Sequence, residues 1–170
     1  MDVLITARVH SSDDGKAILA AFREKAVADN YVVSQAALVK RGNGNTETLE
    51  TFDSGAKTSN DTLLGGVAGG ILGLAAGPVG ALVAGGLGAL AGSVKDDDEE
   101  WKGSGMISYA ASRLRSGELA VIALAREDDE NALDSIFRQY ATLPFREDAA
   151  QADEALRAAE KEAIRKELTS

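Results

Sequence analysis

A run of 33 consecutive uncharged residues, Thr62 to Val94, interrupts a chain in which 26% of all residues are charged. Nothing else in the sequence restricts the fold as strongly. The run holds 11 of the chain's 18 glycines, with 7 alanines and 12 Leu, Ile or Val residues between them. Gly65, Gly69, Gly73 and Gly77 recur every fourth position, and after Pro78 the residues Gly80, Ala84, Gly88 and Gly92 repeat the spacing. Residues four apart share one face of a helix. A face without side chains lets a second backbone come close, which is the small-xxx-small packing pattern. Pro78 breaks a helix and disfavours helical geometry at Gly77. The spacing therefore predicts a glycine-zipper hairpin of two helices, about 62–76 and 78–94, packed on each other or on copies from other subunits.

Three environments compete for such a hairpin. Arms of roughly 15–17 residues rise about 23–26 Å at about 1.5 Å per residue. A bilayer core is about 30 Å thick and needs about 20 residues. Insertion of the Leu, Ile and Val residues contributes about −4 to −7 kcal/mol in all, split over two arms and opposed by the glycines and Pro78. Lys57 and Lys95 are isolated flanking charges, Asp96 to Glu100 has the wrong sign for a cytoplasmic anchor, and neither arm contains Trp or Tyr. Membrane insertion is thus marginal. Burial inside a soluble oligomer is the rival, because glycines cost a helix about 1 kcal/mol each relative to Ala and only tight packing offsets that. A flexible linker is disfavoured by the recurring Leu, Ile and Val. The first two roles remain open and are compatible. A nucleotide loop finds no support: no strand leads into the glycines and no GK[ST] follows them.

With 170 residues the chain has room for one domain and an insertion or tail. Aromatics are 5%, so the core must rest on Ala, Val, Leu and Ile. The absence of cysteine excludes disulfides, thiolate metal sites, iron–sulfur clusters and a cysteine nucleophile. Net charge is −9, divided as −2 over residues 1–61, zero over 62–94 and −7 over 95–170. An acidic chain repels phosphate backbones, so nucleic acid is not an expected partner. No basic cluster marks attraction to anionic lipid. MDVLITARVH is too short and too alternating for a signal peptide.

Val3, Ile5, Ala7 and Val9 alternate with Leu4, Thr6 and Arg8, which predicts an opening strand. Ser11 or Ser12 caps a helix over about 13–28, with Ile18, Phe22 and Ala26 on its apolar stripe. YVVSQAALVK (31–40) and TETLETF (46–52) read as an antiparallel pair joined at 41–45. After the glycine segment, Ser104 caps a helix carrying Ile107, Ala110, Ala111 and Leu114. LAVIALA (119–125) reads as a strand covered on both faces. A helix follows from Asp128 or Asp129, then a short edge strand at 142–146 and a charged helix to 168. Without the insertion the order is strand, helix, strand, strand, helix, strand, which predicts an α+β protein with a ferredoxin-like βαββαβ sheet domain. The expected domains are 1–61 with 95–145 as a discontinuous ferredoxin-like unit, 62–94 as the hairpin, and 146–170 as the charged C-terminal helix.

Over about residues 3–145 this succession is similar to a bacterial family of membrane proteins of unknown function, domain-of-unknown-function family 1269. The likeness lies in VLITARVHSSDDGKAILAAF, the stretch LGGVAGGILGLAAGPVGALVAGGLGALAG, the acidic stretch after it, and GELAVIALARE. The opening strand and helix also resemble the domain of some general-stress proteins. The resemblance implies membrane association and a stress-related role, and it supplies no catalytic residues. The long charged C-terminal helix departs from the family pattern.

His10 is the only histidine and reads as the end of the first strand. Asp96, Asp97, Asp98, Glu99 and Glu100 lack the spacing of a calcium loop and read as a solvated stretch. Asp128, Asp129 and Glu130 suit a helix start, and Arg113 and Arg115 suit a helix end. Trp101 anchors the hairpin to the domain or sits at a bilayer surface. No catalytic, cofactor-binding or metal-binding residue emerges. The expectation is a non-enzymatic bacterial homo-oligomer, cytoplasmic or associated with the inner membrane, with itself and a lipid bilayer as partners. The alternative is a soluble small-ligand module with a pocket between sheet and hairpin.

Overall fold

The computed structural model describes residues 1–43, 45–56, 82–83 and 109–152, together with 154, 155, 158 and 165. Its elements are β1 (Asp2–Val9), α1 (Ser12–Glu24), β2 (Tyr31–Arg41), β3 (Asn45–Asp53), β4 (Leu82–Val83), β5 (Leu119–Glu127), α2 (Glu130–Arg138) and β6 (Phe145–Asp148). Residues 109–111 and 149–152 are also helical. The strands form one sheet in the order β4-β3-β2-β5-β1-β6, and every neighbouring pair is antiparallel. The protein is α+β.

The strand order corrects the assignment made from sequence. A ferredoxin-like unit built on 46–52 as its third strand would place that strand beside β1. Instead β1 lies between β5 and β6, and β3 sits outside β2. Composition explains the difference. β3 is TETLETF with its flanks, a half-polar strand suited to an outer position, whereas the apolar β5 can be buried on both faces. The helical residues 109–111 lie on the face opposite α1: Ala110 and Ala111 pack in a different cluster from Ile18, Leu19 and Phe22.

Side chains of β1 and β5 divide by parity. Val3, Ile5, Ala7, Val9, Val121, Ala123 and Ala125 meet α1 and α2, while Leu4, Ala120, Ile122 and Leu124 meet Ala110, Ala111, Leu114, Ala149 and Ala152. β2 changes parity partway. Tyr31 and Val33 face α1, and so do Ala36 and Leu38. A bulge allows this: Val33 opposes Ala125 and Gln35 opposes Leu124, so Ser34 is the extra residue. Its hydroxyl donates to the Leu124 carbonyl at 2.9 Å, and its own carbonyl accepts from Ser54 N–H at 2.9 Å.

Ser11 caps α1, its hydroxyl accepting the Asp14 N–H at 3.1 Å. The helix ends at Glu24 and not near 28, because Val27 bridges Val32 and Ala28 N–H donates to Tyr31 C=O at 2.9 Å. That tight return ends the helix before its apolar stripe runs out. α2 starts at Asp129, whose carboxylate accepts the Asn131 N–H at 3.0 Å. β6 runs from 145 to 148 and not over 142–146; Pro144 has no N–H for a ladder, and pairing begins just after it.

Candidate functional site

The glycine-zipper positions Gly65, Gly69, Gly73, Gly77, Gly80, Ala84, Gly88 and Gly92 lie outside the described residues, as do Lys57, Lys95, Asp96 to Glu100 and Trp101. Two residues of the segment are described. Leu82 opposes Thr46 and Val83 opposes Asn45 as β4. These two are extended where the sequence predicts the second helix of the hairpin. The open edge of β3 provides a pairing template, and Leu-Val fits it. The chain leaves the sheet after β3, at Ser54–Ala56, and touches the sheet again at the opposite end of β3. Among the described residues no helix is long and apolar enough to cross a membrane.

Where the chain leaves β3, Asp53 organises the exit. Its Oδ1 accepts the Gly55 N–H at 2.6 Å and its Oδ2 accepts the Gln35 amide at 2.8 Å. Gly55 has φ +69°, in the left-handed region that glycine enters without penalty. Arg23 at the end of α1 pairs with Glu50 and donates to the Thr51 carbonyl at 3.1 Å. These residues border an open depression of about 450 Å³ lined by Arg23, Ala26, Thr51, Phe52, Asp53 and Ser54. Its charged groups are already engaged within the chain, which leaves little with which to grip a ligand.

Two ionic clusters flank β6, one on each face, because adjacent residues of a strand point oppositely. On the α2 side, Arg146 makes a two-pronged contact with Glu127, Nε to Oε2 at 2.7 Å and Nη2 to Oε1 at 3.0 Å. Arg146 Nη2 also donates to the Glu130 carbonyl at 3.0 Å and lies 2.8 Å from Asp134 Oδ1 as an ion pair without hydrogen-bond alignment. Asp134 Oδ2 accepts from Arg138 at 3.1 Å. The hydrogen bonds that Arg146 donates to Glu127 raise the pKa of its guanidinium above its already high ordinary value, against the opposing effect of burial. Arg146 stays cationic and serves as a fixed pin.

On the other side, Tyr109 donates its hydroxyl to Glu147 Oε1 at 2.7 Å. Arg113 Nη2 reaches Glu147 Oε2 at 2.9 Å and the Tyr109 hydroxyl at 3.0 Å. The Arg113 guanidinium sits 4.7 Å from the Tyr109 ring centre and 5.1 Å from that of Phe145. Burial, then the bond to Glu147, raises the Tyr109 pKa above its ordinary 10.0. This cluster fastens Tyr109 and Arg113, on the chain's approach to β5, to β6.

His10, read from sequence as the end of the first strand, follows β1 directly and is exposed. Asp129 caps α2, and the hydrogen bonds from Asn131 hold its pKa below the ordinary carboxylate value. Neither Arg146 nor Glu147 stands out in the sequence. A signal for the first does exist: Glu127 is an acidic residue continuing an apolar strand, where a charge needs a partner. Among the described residues no three His, Asp or Glu side chains gather as a metal site. Comparison with protein-family models finds no match to the chain, and none is found among the curated proteins or the solved structures.

Proposed function

We propose that the chain is a non-enzymatic, homo-oligomerising protein whose glycine-zipper segment, residues 62–94, mediates self-assembly and membrane association. One observation carries the reading: 33 uncharged residues with small side chains at every fourth position are inserted in the connection between β3 and β5. The described helices already cover both faces of the sheet. In this reading the domain is ferredoxin-like, but formed by β1, α1, β2, β5, α2 and β6, with β3 and the segment as the insertion. The order β2-β5-β1-β6, with α1 and α2 on one face, supports that assignment. A stress-related role follows from the family resemblance alone.

The test replaces Gly69 and Gly73 by Leu, with molar mass measured by light scattering without detergent and lipid binding by vesicle flotation. Closely packed helices cannot accommodate two Leu side chains in place of hydrogen atoms. The expected outcome is a smaller species with reduced flotation. Unchanged mass and unchanged flotation overturn the reading. The ligand-module alternative draws on the depression lined by Arg23, Ala26 and Thr51 to Ser54, beside the end of β3.

A further inference from the structure

We infer that β6 and the helical residues 149–152 form a detachable strap, and that two copies of the chain exchange their straps, each closing the other's β1 edge. The hold on this strap differs in kind from that on every inner strand. Among the described residues β6 joins the sheet through β1 alone, at Val3 to Thr6, and its leading residue Phe145 is 52% exposed. Among the described residues, the apolar groups it brings to the core are Ala149 and Ala152. The rest of the hold beyond the ladder is polar: Arg146 to Glu127, Asp134 and the Glu130 carbonyl on one face, Glu147 to Arg113 and Tyr109 on the other, with the Thr142 hydroxyl donating to the Arg8 carbonyl. When both partners of a pair separate into water together they regain hydration, which offsets part of the lost attraction, and the fixed geometry of the Arg146 contact selects which strap is accepted.

The connection between α2 and β6 suits a hinge. Ala141 has φ +53°, a left-handed conformation that an alanine leaves readily. Leu143 is 70% exposed, and Pro144 keeps the entry to β6 extended. Once the strap swings out, β1 presents unpaired N–H and C=O groups from Val3 to Thr6. The segment matching that edge in register, charge and side-chain size is the same strap from a second copy, so exchange requires no new surface. This exchange does not depend on the glycine segment.

Two charge reversals test it in full-length chains. Glu147→Lys places a cation against Arg113, and Arg113→Glu places an anion against Glu147. Each variant alone has a repelling latch. In a strap-exchanged pair of the two variants, the lysine introduced into one strap meets the glutamate introduced into the other copy's body. The second strap keeps its native Glu147 and meets the native Arg113 of the first copy, so both latches are restored. Native mass spectrometry of a mixture of the differently tagged variants is expected to show several-fold more heterodimer than a mixture of tagged wild-type chains. The chain carrying both reversals restores its own latch and is expected to mix like wild type. Repeating the mixture with Gly69→Leu and Gly73→Leu separates this contact from assembly through the glycine segment. No heterodimer excess in the mixture overturns the exchange, as does an equal excess for the doubly reversed chain.

Discussion

The two faces of the sheet are built by different means. Among the described residues, the face under α1 and α2 carries Phe22, Tyr31, Phe52 and Phe137, with the Phe22 and Phe137 rings edge to face at 5.9 Å and 77°. The opposite face is largely alanine: Ala37, Ala110, Ala111, Ala120, Ala149 and Ala152 stand among Leu4, Val39, Leu114, Ile122 and Leu124. Large interlocking side chains fill the space under α1 and α2. Small side chains line the other face, with the Arg113–Glu147 pair at its border. The first face draws its stability from buried area. The second is lined by small side chains, so it tolerates added volume poorly and lost volume well.

The largest expected effect is on the first face. Phe137→Ala removes a fully buried ring and half of the aromatic pair, which should cost about 3–5 kcal/mol of unfolding free energy. Chemical denaturation followed by circular dichroism measures it. A loss below about 1 kcal/mol would mean that α2 rests on the sheet without interlocking and that the contrast is wrong.

The second face should respond to the opposite change. Ala120 is fully buried between sheet and covering layer. Ala120→Leu adds volume where small side chains line the face, and should cost about 1–3 kcal/mol. If this variant is as stable as the parent, the alanine face contains unfilled space and close packing is not its organising feature. Ala120→Gly on the same strand removes only a methyl group and serves as the control for backbone effects.

Much of this division was legible in the sequence and some was not. The alternation Val3, Ile5, Ala7, Val9 marks one buried face of β1, and the unbroken LAVIALA marks a strand covered twice. The caps were readable to within one residue, Ser11 or Ser12 and Asp128 or Asp129, because short polar side chains before apolar periodicity have few other uses; the structure selects Ser11 and Asp129. The bulge at Ser34 was not readable. YVVSQAALV looks like a continuous apolar strand, and only pairing against β5 reveals that one residue is extra. Topology failed for a related reason. Local pattern identifies strands but not their neighbours; the half-polar β3 and the apolar β5 differ in composition, but which of them pairs with β1 is settled by long-range contacts. Arg146 and Glu147 were hidden because neighbouring charges on a short strand look like a solvated edge, and each finds its partner on a different face. The glycine positions, the clearest signal in the sequence, fall outside the described residues.

The smallest expected effect concerns the border of the alanine face. The Tyr109 pKa is raised above 10.0 because burial and the bond to Glu147 disfavour the phenolate. A folded-state value above the unfolded one means that the neutral hydroxyl contributes stability. That contribution is complete below about pH 10 and is lost as pH climbs through the raised value. Tyr109→Phe has nothing to ionise there, so it should lose less stability than the parent between about pH 9 and 11. Tyr31, whose pKa burial also raises, is common to both chains and cancels in the difference. The site is largely solvent-screened, so the difference should amount to a few tenths of a kcal/mol. Paired denaturation curves at the two pH values measure it. Equal alkaline losses in both chains would show that the Tyr109–Glu147 bond does not fasten the chain's approach to β5 against β6, and would leave Arg113 as the contact that does.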